Sequence, residues 1–134
     1  MKAILQLALD FVDLPRALKV AEEAYAAGIT RLEAGTPLIK ACGLESVRVL
    51  RARFPRARIV ADMKVMDTGR TEAEIAFKAG AHIVTVMGNA SDATIREAIE
   101  AAANYGGEVL VDLMEEAATV KRAKEVVALG CHEI

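Results

Sequence analysis

Ala27-Gly28-Ile29-Thr30-Arg31-Leu32, Ala79-Gly80-Ala81-His82-Ile83-Val84 and Leu129-Gly130-Cys131-His132-Glu133-Ile134 are three versions of one signal. In each, a glycine closes a helical pattern, because a left-handed residue ends a helix with no Cβ penalty. In the first two a short apolar run follows and reads as a strand. The third then reads as the opening of a sixth strand, and the 134-residue chain stops inside it. Working outward, apolar runs of strand length occupy residues 3–9, 29–34, 59–63, 82–86 and 109–113. Longer segments with helical spacing lie between them. Leu18, Ala21, Ala24 and Tyr25 share a face in the first, and Val47, Leu50 and Phe54 in the second. Ile95, Ala98, Ile99 and Ala102 do so in the fourth, and Val120, Ala123 and Val127 in the fifth.

The punctuation agrees with this alternation. Asp13 before Leu14-Pro15 predicts a helix start with proline in the first turn. Thr71-Glu72-Ala73-Glu74 predicts a capping box, and Ser91 or Asp92 the cap of the next helix. Strands this continuously apolar predict a parallel sheet covered by helices. No linker interrupts residues 1–134, so one α/β unit of five βα repeats plus the start of a sixth strand is expected. Two architectures accept that pattern. Length favours a flavodoxin-like five-unit sheet, since a (β/α)8 barrel takes about 200 residues or more. The unfinished sixth strand favours the N-terminal part of a TIM barrel.

Composition narrows the function. Hydrophobic residues at 54% and charged residues at 27% support a packed core rather than disorder. A net charge of −2, with 4% aromatics and no Trp, leaves no footprint for nucleic acid. No apolar run reaches the ~18 residues of a membrane span, and no secretory signal pattern opens the chain. Cys42 and Cys131 lack metal-ligand spacing and fit a reducing compartment, so a cytoplasmic location is expected.

Polar residues collect where strands end: Asp10, Glu33, Asp62 with Lys64, and Asp112. In both folds that edge holds the functional site. One acid at a strand end says little, whereas four at four ends point to a site. In Asp62-Met63-Lys64, strand alternation sends carboxylate and ammonium to the same face, and Asp67 completes Asp-x-Lys-x-x-Asp. Such an array holds a developing anion and keeps the lysine protonated. A structural ion pair, with Asp67 capping the turn before Thr71, accounts for the same spacing. Glu33 and Asp62, on adjacent strands, offer two carboxylates to a hard cation such as Mg²⁺. Gly35-Thr36-Pro37 and Gly88-Asn89-Ala90 read as βα turns that permit close approach. His82 and His132 begin strands, on the opposite edge, and are expected to be structural. Arg48, Arg51, Arg53 and Arg56 read as a solvated helix face.

Leu7-Ala8-Leu9-Asp10, Glu33-Ala34-Gly35-Thr36-Pro37-Leu38-Ile39 and Ala61-Asp62-Met63-Lys64-Val65-Met66-Asp67 together resemble the orotidine 5′-monophosphate decarboxylase suprafamily. Within it they are most similar to the 3-hexulose-6-phosphate synthase group. The resemblance implies a (β/α)8 barrel of the ribulose-phosphate-binding type, usually a homodimer with shared active sites. It implies an aldehyde-lyase that condenses ribulose 5-phosphate with formaldehyde through an enediolate, assisted by Mg²⁺. It assigns Glu33 and Asp62 to the metal and Lys64 to the intermediate. Asp67 would reach the neighbouring subunit's site, Asp10 would orient Lys64 or substrate hydroxyls, and Asp112 and Gly88 would border the substrate. The 3-keto-L-gulonate 6-phosphate decarboxylases share the acid at Glu33, whereas orotidine decarboxylases carry a lysine near it. The family's base, a histidine on the sixth strand, and its phosphate-gripping loops are expected beyond Ile134. A non-catalytic, self-associating barrel fragment and a phosphate-accepting signalling receiver are the readings from other classes. For the receiver, Asp10 and Asp62 fit, but the fifth strand ends in Asp112 where a lysine is needed.

Overall fold

The computed structural model describes residues 3–134. Five strands, β1 (Gln6–Leu9), β2 (Arg31–Ala34), β3 (Arg58–Val65), β4 (Ile83–Met87) and β5 (Glu108–Asp112), form one sheet. Six helices connect or follow them: α1 (Leu14–Ala26), α2 (Thr36–Cys42), α3 (Glu45–Arg53), α4 (Gly69–Lys78), α5 (Asp92–Tyr105) and α6 (Thr119–Ala128). Every pairing is parallel, and the strand order is β1-β2-β3-β4-β5. Parallel crossovers are right-handed, so steps that never reverse direction leave all helices on one face. A flavodoxin-like sheet reverses after its first unit. The strand order therefore excludes that alternative and gives the wall of a barrel. The sixth strand also begins as expected: Leu110 bridges Glu133 in parallel, and the Val111 N–H donates to the Glu133 carbonyl at 2.9 Å.

The two faces of the sheet are chemically different, which corrects the expectation of uniformly apolar strands. Leu9, Leu32, Ala34, Ile59, Ala61, Val84, Val86, Val109 and Val111 are fully buried. They pack with Ala17, Ala21, Leu38, Val47, Leu50, Ala73, Ile95 and Ala98 from the helices. The alternate positions include Gln6, Arg31, Glu33, Arg58, Asp62, Thr85, Glu108 and Asp112. On that second face Arg58 of β3 reaches Glu108 of β5 at 2.8 Å, and Arg31 of β2 pairs with Glu133. Side chains that meet across an intervening strand require the sheet to curve toward them.

Helix ends show where local signals held. Asp13 accepts from the Arg16 N–H at 2.9 Å, and Pro15 sits in the first turn of α1. Of the two candidates for α5, Ser91 is the cap, accepting from the Thr94 N–H at 3.1 Å. The capping box at Thr71 is not formed: α4 already begins at Gly69, with Thr68 before it in a left-handed conformation. Gly69 permits this early start, since a Cβ there would stand 2.1 Å from the Thr94 carbonyl oxygen. Helix α2 is an additional element, separated from α3 by Gly43 at φ 63°. Its seven residues are too few to show a period in the sequence.

Candidate active site

Strand β3 places two of the predicted residues together, but not by simple alternation. Ala61 pairs with Val84 and Val65 with Val86, so β3 carries two extra residues against β4. Bulges of this kind re-aim side chains next to functional sites. Within it Lys64 adopts φ 47°, an uncommon conformation for a residue with a Cβ. Its N–H donates to Thr85 Oγ1 of β4 at 2.9 Å instead of to a backbone carbonyl.

Asp62 is buried and fully engaged. Oδ1 accepts from Thr85 Oγ1 at 2.8 Å and lies 3.3 Å from Lys64 Nζ. Oδ2 accepts from Thr36 Oγ1 at 2.7 Å and from the Thr36 N–H at 3.3 Å. The β2–α2 turn and strand β4 thus both converge on this carboxylate. Lys64 Nζ also donates to Asp112 Oδ2 at 2.7 Å, linking β3 to the end of β5. Partial burial pulls the Lys64 ammonium down, but the hydrogen bond to Asp112 and the charge of Asp62 outweigh it, and its pKa lies above the usual value. Burial works against the Asp112 carboxylate, yet Lys64 and the Met114 N–H hold it below the usual range.

Glu33 sits one residue before the end of β2 and accepts from the Gln6 side chain. Burial raises its pKa, Gln6 opposes this, and the charges of Asp62 and Asp10 add to the rise. Among the described residues it has no cationic partner within ion-pair distance. Asp10 is exposed and close to Gly35, where a Cβ would stand 2.1 Å from Asp10 Oδ1. Gly35 is therefore glycine because the β1 and β2 ends approach closely. Asp67 is exposed and, among the described residues, its carboxylate accepts from the Thr68 hydroxyl alone, at 3.3 Å, so it does not join the Lys64 cluster. Gly88 donates its N–H to the Asp112 carbonyl at 2.7 Å, and a Cβ there would meet Leu113 Cδ2 at 2.6 Å.

Three contributors carried no sequence signal strong enough to single them out, Gln6, Thr85 and Arg122, while Thr36 lay in the predicted Gly35-Thr36-Pro37 turn without a role of its own. Arg122 of α6 braces the β4–α5 turn, with Nε donating to the Gly88 carbonyl at 2.6 Å and an Nη to Asp92 at 2.8 Å. Thr85 was the most findable, as the one hydroxyl inside Ile83-Val84-Thr85-Val86-Met87. A polar group in a buried strand needs a partner. The histidines are structural, as expected. His82 Nδ1 accepts from the Ile59 N–H at 2.9 Å and His132 Nδ1 from the Val109 N–H at 3.1 Å, at the strand starts. Among the described residues no group of three or more His, Cys, Asp or Glu surrounds one point. A cleft lined by Ala3, Ile4, Leu5 and residues 27–30 opens at the opposite edge, away from the acids.

The chain is similar to known proteins in sequence and in fold. The 3-hexulose-6-phosphate synthase of Methylomonas aminofaciens is 43% identical over 132 residues, which cover 98% of this chain and 63% of that protein. A crystal structure of a 3-hexulose-6-phosphate synthase superimposes with a TM-score of 0.93 at 44% identity, over 96% of this chain and 62% of the other. The 3-keto-L-gulonate-6-phosphate decarboxylase of Vibrio cholerae O1 biovar El Tor gives 0.91 at 34% identity, over 98% and 60%. The chain thus spans about three fifths of the length of these relatives. Its TIM-barrel-type fold is theirs, with a sheet that is not closed within the described residues. Residues 3–133 match the sequence model of one family across nearly their whole extent, and the chain belongs to it: the orotidine 5′-phosphate decarboxylase / HUMPS family.

Proposed function

We propose that the chain supplies the lysine and carboxylate half of a 3-hexulose-6-phosphate synthase site, an aldehyde-lyase that joins formaldehyde to ribulose 5-phosphate. The observation that carries this reading is Lys64 held between Asp62 and Asp112 at the C-terminal edge of the sheet, with half-buried Glu33 near Asp62. Mg²⁺ takes one or two carboxylates and completes its shell with water or substrate oxygens. Glu33 would fit that role, since it is half-buried beside Asp62 and Asp10 with no cation in ion-pair contact among the described residues, and Asp62 would join it by releasing one of its present hydrogen-bond donors. When bound, the metal supplies positive charge beside the substrate carbonyl and makes the adjacent C–H acidic.

The chain's own residues then act on the sugar. Lys64, kept protonated by Asp112 and Asp62, faces the negative charge of the enediolate. A base supplied by the C-terminal strands takes the C–H proton, the enediolate carbon so formed adds to the carbonyl carbon of formaldehyde, and the new alkoxide takes the proton back from that base. Asp10 orients substrate hydroxyls at the end of β1, while Gly88 and Asp112 border the sugar. Asp67, turned to solvent, serves the neighbouring subunit's site in a cytoplasmic homodimer. Glu33 equally suits a gulonate-type decarboxylase, which exchanges a substrate C–H proton without consuming formaldehyde.

Loss of formaldehyde is followed with ribulose 5-phosphate present, with Mg²⁺ and then with chelator. Mg²⁺-dependent consumption is expected in the chain joined to the C-terminal strands of its Methylomonas relative. Lys64→Met lowers kcat by about 10²–10³, as for loss of a group that stabilises transition-state charge. Proton exchange without consumption favours the decarboxylase. A folded, dimeric protein that neither binds sugar phosphate nor consumes formaldehyde overturns the enzyme reading in favour of a self-associating module.

A further inference from the structure

We infer that Thr85 is a positioning residue that holds Lys64 in its working conformation, an inference that rests on the reading of Lys64 as the charge facing the enediolate. Three observations meet at its hydroxyl. Lys64 has φ 47°, a left-handed conformation that an L-residue rarely adopts unless its surroundings hold it. The two extra residues of β3 between Ala61 and Val65 take the Lys64 N–H out of the ladder with β4. Thr85 Oγ1 replaces the lost acceptor at 2.9 Å and spends its own proton on Asp62 Oδ1 at 2.8 Å.

One hydroxyl therefore fixes both ends of the Asp62-Met63-Lys64 step. The backbone bond sets where the lysine leaves the strand, and the side-chain bond sets where Asp62 meets the ammonium. Thr85 itself is 4% exposed and its β-branched side chain has few rotamers, so the hydroxyl is aimed by packing. It makes no contact that requires substrate, so its influence on the reaction runs through Lys64 and Asp62.

The test compares Thr85→Val, which keeps shape and deletes the hydroxyl, with Thr85→Ser, which keeps the hydroxyl. Amide hydrogen exchange is read residue by residue on the ¹⁵N-labelled chain. In Thr85→Val the Lys64 amide exchanges at least about tenfold faster while the Val60 and Ala61 amides stay within twofold. Thr85→Ser restores wild-type exchange at Lys64. Should Thr85→Val not fold, Thr85→Ala is measured with the same expectation. An unchanged Lys64 amide in the valine variant overturns the inference. So does an equal effect of valine and serine, or uniform acceleration along all of β3. In the formaldehyde assay Thr85→Val lowers kcat about tenfold with KM within about twofold. If the wild-type chain joined to the C-terminal strands of its Methylomonas relative shows no turnover, the enzyme reading fails, and the exchange data still decide the role of Thr85.

Discussion

Lys64 and Glu33 show how one cluster holds opposite electrostatic demands. The lysine is kept charged by two carboxylates, whereas half-buried Glu33 is raised by desolvation and by the charges of Asp62 and Asp10, which outweigh Gln6 and Lys64. Because the folded state raises the Glu33 pKa, the native protein binds that proton more readily than the unfolded chain, and an ionised Glu33 lowers stability at neutral pH. Glu33→Gln is therefore expected to raise Tm at pH 7 by a few degrees without Mg²⁺, and the gain should vanish near pH 4, where both states are protonated. The same variant should lose any Mg²⁺-induced rise in Tm. His82 gives the opposite dependence. Burial, then Arg51 and Arg58, lower its pKa, and its Nδ1 must stay unprotonated to accept from Ile59. The unfolded state binds more protons, so its contribution to stability is lost as pH falls below about 6.5. A thermal-melt series from pH 7 to pH 5 should show a falling Tm whose slope is reduced in His82→Gln. The acids themselves were legible in the sequence, since charge at a strand end is a strong departure from the strand pattern. The hydroxyls and amide that hold them were not, because threonine and glutamine occur in strands for many reasons.

At the scale of elements, the packing of α4 against α5 depends on one backbone atom. Gly69→Ala would place a methyl 2.1 Å from the Thr94 carbonyl oxygen, which cannot rotate away. The helices must separate, at a cost of about 1–3 kcal/mol, and urea unfolding should report it as a lower midpoint. Ser91→Ala removes only the α5 cap and is expected to cost about 1 kcal/mol. The contrast separates two kinds of sequence signal. The α5 start was readable because a cap acts within three residues. The α4 start was misread at Thr71 because α5, not the local sequence, decides where α4 begins. Similarly, the i, i+2 rule brought Asp62 and Lys64 together for a reason that is incomplete. The two-residue bulge changes the direction of the strand, and only pairing with β4 reveals it.

Across the whole molecule, charge is distributed between the ends of the concave face. Arg31–Glu133 and Arg58–Glu108 pair near the strand starts, and the Asp62–Lys64–Asp112 cluster lies near the strand ends. Arg31 is 7% exposed, so its charge depends on Glu133, which is the residue that brings the sixth strand into register beside β5. Glu133→Ala is expected to cost about 2 kcal/mol in urea unfolding, the range for losing a hydrogen bond to a buried charge. Arg31→Met combined with Glu133→Leu should recover most of that loss, because an apolar pair avoids desolvating two ions.

By itself the sequence determined the alternation of strands and helices, the parallel sheet, the edge that carries the acids and the family to which the chain belongs. Each of these rests on patterns that repeat locally or on residues whose order is their signature: Gly28, Gly80 and Gly130 after helices, and Asp-x-Lys-x-x-Asp at the end of β3. Periodicity and length left barrel wall and doubly wound sheet both open; the family resemblance implied the barrel, and strand order, a relation among segments far apart in the chain, established it. Tertiary structure alone decided which face is polar, that Asp67 stands apart from Lys64, and that Thr36 and Thr85 orient Asp62. Hydrogen bonds between residues 23 or 26 positions apart, on different elements, depend on register and curvature, and neither has a period that a sequence can display.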